Sequence, residues 1–122
     1  MKRDWDIIRE ILLKLEQAET PNTYLKAKDL TSFPMQEVAY NMRLLFQADC
    51  IKAIISESST GNGEIIAAMA THMTDKGHDL LTTIRNEGVW VKVKNKFVEK
   101  GLDMTFDLVI GVGKRVMETL LL

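Results

Sequence analysis

The chain has 122 residues, a length that suits one compact domain with its own hydrophobic core. Apolar residues make up 46% of it and charged residues 27%, which excludes a disordered or collagen-like chain. The net charge is −1, from 16 Lys and Arg against 17 Asp and Glu, so nucleic-acid binding would need a local positive patch.

Cysteine content and hydropathy favour a cytoplasmic protein. The single cysteine, Cys50, cannot form an internal disulfide, so nothing indicates an oxidising compartment. The first stretch, MKRDWDIIREILLKLEQ, interleaves charged and apolar residues, unlike a signal peptide. No segment approaches the ~20 apolar residues of a membrane span, so we expect no membrane partner.

Apolar spacing predicts a first helix over roughly Arg3 to Gln17, with a stripe of Trp5, Ile8, Leu12 and Leu15. Pro21 disfavours helix at the residue before it, and Asn22 suits a turn. The next segment, Thr23 to Leu30, is too short for its periodicity to distinguish a strand from a helix. For this segment we favour a short helix.

The stretch SFPMQEVAYNMRLLFQA predicts a strong helix with Ser32 or Phe33 at its cap and Pro34 in its first turn. Its expected buried stripe is Met35, Val38, Met42 and Leu45. Polar side chains off this stripe are expected in solvent or against a partner: Gln36, Glu37, Tyr40, Asn41, Arg43 and Gln47.

The second half of the chain begins with a predicted β-hairpin. Its strands are CIKAIIS and EIIAAMATHM, and the loop ESSTGNG places Asn62 and Gly63 at positive φ. Three helices follow: the first is capped by Thr74, the second is closed by Gly101, and the third begins near Thr105.

The last helix has more apolar surface than docking on one side requires, in Leu108, Val109, Val112, Val116 and Leu120. It either pairs with its symmetry mate or packs onto the first helix of the same chain. We favour a homodimer through this C-terminal helix, because an apolar terminal helix often pairs with its symmetry mate.

The order of elements predicts an α+β fold, mainly α. A helical pair or trio followed by a hairpin is typical of a winged helix-turn-helix, here with a β-hairpin wing and additional C-terminal helices. We predict a single domain over 1–122, in which 1–73 form the helical core plus hairpin and 74–122 form a C-terminal helical extension.

Four stretches, MKRDWDIIREILLKLE, EVAYNMRLLFQADCI, MTDKGHDLLTTIRN and GVWVKVKNK, together resemble the bacterial and phage family called domain of unknown function 2513. The resemblance covers most of the chain and implies a winged-helix-like protein of prophages and mobile elements. VAYNMRLLFQADCI is also similar to the third helix of small winged-helix repressors. It departs from that pattern at Asn41, where a His is usual, and at Asp49 and Cys50, where Gly and Leu are usual. Asp49 can still adopt a left-handed turn, so we expect the corner after the helix to be kept.

The leading functional hypothesis is binding of double-stranded DNA. Gln36, Tyr40, Asn41 and Arg43 are the candidate base-reading residues, since Asn and Gln suit adenine and Arg suits guanine, and Lys52 is a fifth candidate contact. We therefore expect a cytoplasmic transcriptional regulator of phage or mobile-element origin.

The local charge favours an alternative, a protein–protein interaction module that uses the same fold without DNA. From Pro34 to Glu64, two cations stand against four carboxylates, a local net charge of −2. Phosphate contacts supply most of DNA affinity, and the wing loop carries no Lys or Arg. A helix that only packs, with a solvated outer face, is the third interpretation.

Positive charge is instead concentrated in Lys92, Lys96 and Lys100, which follow an i, i+4, i+8 pattern on one predicted helix. Such a stripe opposite an apolar face is usually solvated. The other interpretation is a phosphate-contacting patch outside the wing.

Catalytic and metal-binding signals are weak. Cys50, His72 and His78 have no arrangement typical of a nucleophile with its base, or of a metal site. The GVGK stretch that ends at Lys114 has one residue between its glycines, whereas a phosphate loop needs four. We expect no enzyme activity, no cofactor and no metal.

Overall fold

Helix α1, Trp5–Glu16, begins where Asp4 caps it. The Asp4 carboxylate accepts hydrogen bonds from the backbone N–H groups of Asp6 and Ile7 at 2.9 and 3.2 Å. The bounds agree with the predicted helix to within two residues at each end. The buried face of α1 is apolar and consists of Ile7, Ile8, Ile11, Leu12 and Leu15.

The computed structural model describes residues 1–21 and 23–122, and Asn22, the predicted turn residue, lies outside them. The remaining elements, in chain order, are β1 (Leu25–Lys26), a 3₁₀ turn (Ala27–Asp29), α2 (Met35–Gln47), β2 (Ile51–Glu57), β3 (Ile65–Met73), α3 (Asp75–Arg85), α4 (Glu87–Lys100) and α5 (Phe106–Leu121). This content confirms the predicted α+β fold, mainly α.

The segment before α2 is both a strand and a helical turn. Leu25 and Lys26 pair antiparallel with Ala70 and Met69 of β3, and the Asp29 carboxylate then accepts a hydrogen bond from the Lys26 N–H at 2.9 Å. The predicted short helix is confirmed only as the 3₁₀ turn, because two residues of strand leave no periodicity in the sequence.

Helix α2 buries Val38, Met42 and Leu45 as predicted. Two details differ. Pro34 itself is the N-cap, in place of Ser32 or Phe33, because its extended backbone at φ −61° and ψ 135° leads directly into the helix. Met35 is 38% exposed, because the first turn of α2 is not fully covered by other elements.

A tight corner joins α2 to the sheet. Asp49 adopts the left-handed conformation, at φ 62°, and Cys50 donates its N–H to the Leu45 carbonyl at 2.9 Å. The start of α3 packs against this corner at Gly77. A Cβ at this position would clash with the Cys50 carbonyl oxygen, so only glycine fits there. The predicted left-handed Asp49 is confirmed.

The sheet has the strand order β1-β3-β2, with both pairings antiparallel. The hairpin of β2 and β3 confirms the prediction, although its loop differs. Gly61 and Gly63 are the positive-φ residues, both at 76°, whereas Asn62 is not. The Asn62 side chain instead accepts a hydrogen bond from the Glu64 N–H at 3.0 Å, a bond that does not need positive φ.

The chain divides into two compact units, Met1–His78 and Asp79–Leu122, with the boundary inside α3. In the second unit, Asn86 caps α4 and Gly101 ends it in the left-handed conformation, at φ 64°. Thr105 caps α5. The sequence predicted the roles of Gly101 and Thr105.

Among the described residues, no helix combines the length and apolar character needed to cross a bilayer.

Candidate functional site

The outer face of α2 carries four polar side chains, Gln36, Tyr40, Arg43 and Gln47. Their spacing of i, i+4, i+7 and i+11 places them on one side of the helix, opposite its buried stripe. Tyr40 and Arg43 are half-buried, and Gln47 is exposed. Three of the four helical residues predicted to read DNA therefore lie on one surface, which we call the outer face.

Arg43 is held in position on this face. Its Nη1 lies 2.8 Å from the Glu57 Oε1 at the end of β2, and its guanidinium carbon lies 5.4 Å from the centre of the Tyr40 ring. The ion pair and the cation–π contact together orient the Arg43 fork. Any external group that binds Arg43 must compete with the Glu57 carboxylate.

Gln36 uses both ends of its amide to connect α2 to the sheet. The Gln36 Nε2 donates to the Ile65 carbonyl at 2.6 Å, and the Gln36 Oε1 accepts from the Ile65 N–H at 3.3 Å. These two bonds tie the first turn of α2 to the start of β3. The amide is therefore already satisfied without a base edge.

Asn41 does not lie on the outer face, and the expectation that its side chain is presented to a partner is wrong. It is 1% exposed, because position 41 lies one step around the helix from position 40, on the side of the buried stripe. Its Nδ2 donates to the Glu37 carbonyl and its Oδ1 accepts from the Asp4 N–H, both at 2.9 Å. Asn41 thus connects α2 to the start of α1.

Other elements of this unit also carry exposed cations. Lys52, predicted from sequence, is exposed on β2. Lys26 and Lys28, which the sequence reasoning did not select, are exposed around the 3₁₀ turn and line a groove with Met35 of α2 and Ile66 of β3. Their signal in the sequence is the LKAKD stretch, where the two lysines flank the buried Ala27.

The loop between β2 and β3 contributes polar groups but no cation. Ser58 and Thr60 share a hydroxyl hydrogen bond of 2.8 Å, and the Ser58 N–H donates to the Glu64 carbonyl at 2.8 Å. Carboxylates dominate around it, since Glu57 ends β2 and Glu64 precedes β3. The hairpin loop itself therefore offers no cation for a phosphate contact.

The lysine stripe of α4 lies in the second unit. Lys92, Lys96 and Lys100 are all exposed, and the first two line a groove between α4 and α5 that Lys100 does not reach. Lys94 lies elsewhere on α4, with its Nζ 5.3 Å from the centre of the Trp90 ring. The structure thus separates the stripe into a groove pair and one lysine at the helix end.

The residues considered for catalysis do not form a recognisable centre. Cys50 is fully buried at the α2–β2 corner, while His72 and His78 line a shallow pocket with Glu16 and Glu19. Within residues 1–21 and 23–122, no group of three or more His, Cys, Asp or Glu side chains is placed to hold a metal ion.

Comparison with known proteins gives two matches over most of the chain. The profile of the family described as "Hypothetical protein (DUF2513)" matches residues 2–103. The chain is also 37% identical over 121 residues to an "Uncharacterized protein" of Haemophilus influenzae, and the alignment covers 99% of each chain. No solved structure matches the chain.

Proposed function

The chain belongs to the DUF2513 family, and we propose that it is a winged-helix regulator that binds double-stranded DNA, not an enzyme. The observation that carries this proposal is the polar outer face of α2. This helix lies in the chain between the 3₁₀ turn and the β2–β3 hairpin. The phage or mobile-element origin of the regulator rests on the family resemblance of its sequence motifs.

The arrangement of the first unit supports the winged-helix assignment. In this proposal the 3₁₀ turn and α2 correspond to the two helices of a helix-turn-helix, and the β2–β3 hairpin, which follows α2 after the Asp49 corner, corresponds to the wing. In such domains the second helix enters the major groove with its N-terminal part toward the bases. The outer face of α2 is the surface that would do so here.

We assign base reading to Tyr40, Arg43 and Gln47. Arg pairs with the two acceptors of guanine through its fork, and Gln pairs with adenine. Gln36 and Asn41, predicted from sequence as readers, take supporting roles in this proposal because their amides already bond the Ile65 and Asp4 backbones. They fix the position of α2 relative to the sheet and α1.

We assign phosphate contacts to Lys26, Lys28 and Lys52. In a helix-turn-helix the element before the reading helix crosses the DNA backbone, and Lys26 and Lys28 occupy that position. With only three such contacts, and with Glu37 and Glu57 close to the reading residues, nonspecific DNA binding should be weak. Specific base contacts therefore carry an unusually large share of the affinity.

Site-directed variants test this assignment. DNA binding is measured by fluorescence anisotropy for Lys26→Gln/Lys28→Gln and for a matched variant, Lys92→Gln/Lys96→Gln, which removes the same charge from the second unit. The proposal expects the first variant to weaken duplex binding by about tenfold, since each exposed charge contact contributes up to about 1 kcal/mol. Weakening by the second variant alone would relocate the DNA contact to α4.

A protein–protein interaction module is the second candidate function, and apolar exposure on the sheet favours it. Ile54 and Ile66 are 54% and 63% exposed on β2 and β3, and the first unit carries more carboxylates than cations. A protein partner would cover these side chains, so its binding would be insensitive to salt. Duplex binding would weaken as salt rises.

We further propose a homodimer through α5. Leu108 and Leu121 are 48% and 86% exposed near the two ends of this helix, and burying them against a second copy would remove apolar surface from water. Sedimentation equilibrium tests this proposal. A dimer that dissociates in Leu108→Lys/Leu121→Lys supports it, whereas a monomer at every concentration contradicts it.

A further inference from the structure

The second unit contains a groove of about 560 Å³ between α4 and α5. Val112, Val116 and Leu120, at i, i+4 and i+8 along α5, form an apolar floor, and the polar Asn95 and Thr119 lie beside it in the lining. Three residues with this spacing extend over about 12 Å of helix axis. The apolar part of the groove is therefore a strip that follows one side of α5.

The rim of this groove is cationic. Lys92 and Lys96 on α4 and Arg115 on α5 stand against a single carboxylate, Glu99. All three cations are exposed, and none forms an ion pair across residues 1–21 and 23–122. The rim charges are thus available to an external anion.

We propose that this groove binds an acidic amphipathic helix of a partner protein. An amphipathic helix places apolar side chains at i, i+3, i+4 and i+7 into an apolar channel, and its flanking carboxylates meet cations on the rim. A nucleic-acid backbone satisfies the cations but has no apolar stripe for the valine and leucine floor. The combination of floor and rim selects a peptide.

This inference is independent of the proposed DNA binding. Every residue that carries it lies in the unit Asp79–Leu122, whereas the assigned DNA contacts lie in the unit Met1–His78. It shares α5 with the proposed dimer, since Val112, Val116 and Leu120 belong both to the groove and to the apolar stripe predicted to pair. Self-association of the rim variants is therefore measured beside peptide binding.

The test uses the full chain and a labelled synthetic helical peptide of about 14 residues, which spans about 21 Å as a helix. The peptide carries Leu at the apolar positions and Glu on both flanks. A second peptide replaces every Glu by Lys and is otherwise the same. Anisotropy titrations should give saturable binding of the acidic peptide only, because the rim repels the basic one.

The matched variants locate the binding on the groove. Lys92→Glu/Lys96→Glu should weaken binding of the acidic peptide by about tenfold, since two attractive contacts become repulsive. Lys94→Glu/Lys100→Glu makes the same charge change on the same helix outside the groove and should change binding by less than about twofold. Circular dichroism verifies that both variants remain folded.

Four outcomes would overturn the inference. They are equal binding of both peptides, equal effects of the two double variants, and no acidic-peptide binding at about 1 mM protein, where even weak association is detected. The fourth is loss of duplex binding or of self-association in Lys92→Glu/Lys96→Glu with peptide binding unchanged. That result would assign the rim to phosphate or to a second copy of the chain.

Discussion

Arg43 on α2 and Glu57 at the end of β2 form an ion pair of 2.8 Å that joins the candidate reading helix to the hairpin. The Glu57 side chain is 52% exposed, so the pair lies at the surface and its partners exchange easily. In the free protein the carboxylate keeps the guanidinium oriented. On DNA, the same carboxylate competes with the base that Arg43 is proposed to read.

Removing this competitor should strengthen DNA binding. Glu57→Gln is expected to raise duplex affinity about two- to fivefold, because an exposed ion pair costs up to about 1 kcal/mol to break. The matched control is Glu64→Gln, which makes the same charge change at the other end of the hairpin loop. Anisotropy titrations check both variants. Equal gains would show a general charge effect and no role for the Arg43–Glu57 pair.

Arg43 itself should be needed for sequence discrimination. Arg43→Ala is expected to lose about tenfold or more in affinity for the preferred duplex, since a bidentate base contact contributes about 1–3 kcal/mol. Binding to a scrambled duplex should fall much less. Competition between the two duplexes measures the difference, and an unchanged preference in Arg43→Ala would contradict base reading by this residue.

Asn41 should control stability and not recognition. Asn41→Ala leaves the half-buried Asp4 N–H without its acceptor and is expected to lower the free energy of unfolding by about 1–3 kcal/mol. Gln47→Ala, on the exposed side of the same helix, should change it by less than about 0.5 kcal/mol. Urea unfolding followed by circular dichroism tests the pair. Equal stability of the two variants would mean that the Asp4 bond contributes nothing.

The two glycines of α5 should respond in opposite ways to alanine. A Cβ on Gly111 meets open space, so Gly111→Ala should stabilise the chain by about 1 kcal/mol through helix propensity. A Cβ on Gly113 would lie 2.4 Å from the buried Thr83 side chain, so Gly113→Ala should destabilise it by about 1–3 kcal/mol. Thermal unfolding compares them, and a change of the same sign in both would contradict the contact with Thr83.

The elements that the sequence predicted well have local signals. Apolar spacing defines α1, Asp49 forms the left-handed corner before β2, and Gly101 closes α4. Each of these signals lies within a few residues of the structure it determines. These local signals were enough to predict the approximate bounds of the helices and the presence of the hairpin.

The candidate site was harder to predict because its decisive contacts are distant in sequence. Asn41 bonds Asp4 across 37 positions and Gln36 bonds Ile65 across 29, so no local pattern distinguishes these amides from exposed ones. Lys26 and Lys28 were missed for another reason: their segment is too short for periodicity. Only the packing of β1 on β3 shows that both lysines lie beside α2.

Salt dependence of duplex binding tests the central proposal most directly. With Lys26, Lys28 and Lys52 as the phosphate contacts, log affinity should fall against log salt with a slope of about −2.7. Affinity for a labelled duplex should then drop about 40-fold between about 50 and about 200 mM salt. A folded protein that binds no duplex at the lower salt, or binds with no salt dependence, would contradict DNA binding and leave the protein–protein interaction module as the function of this fold.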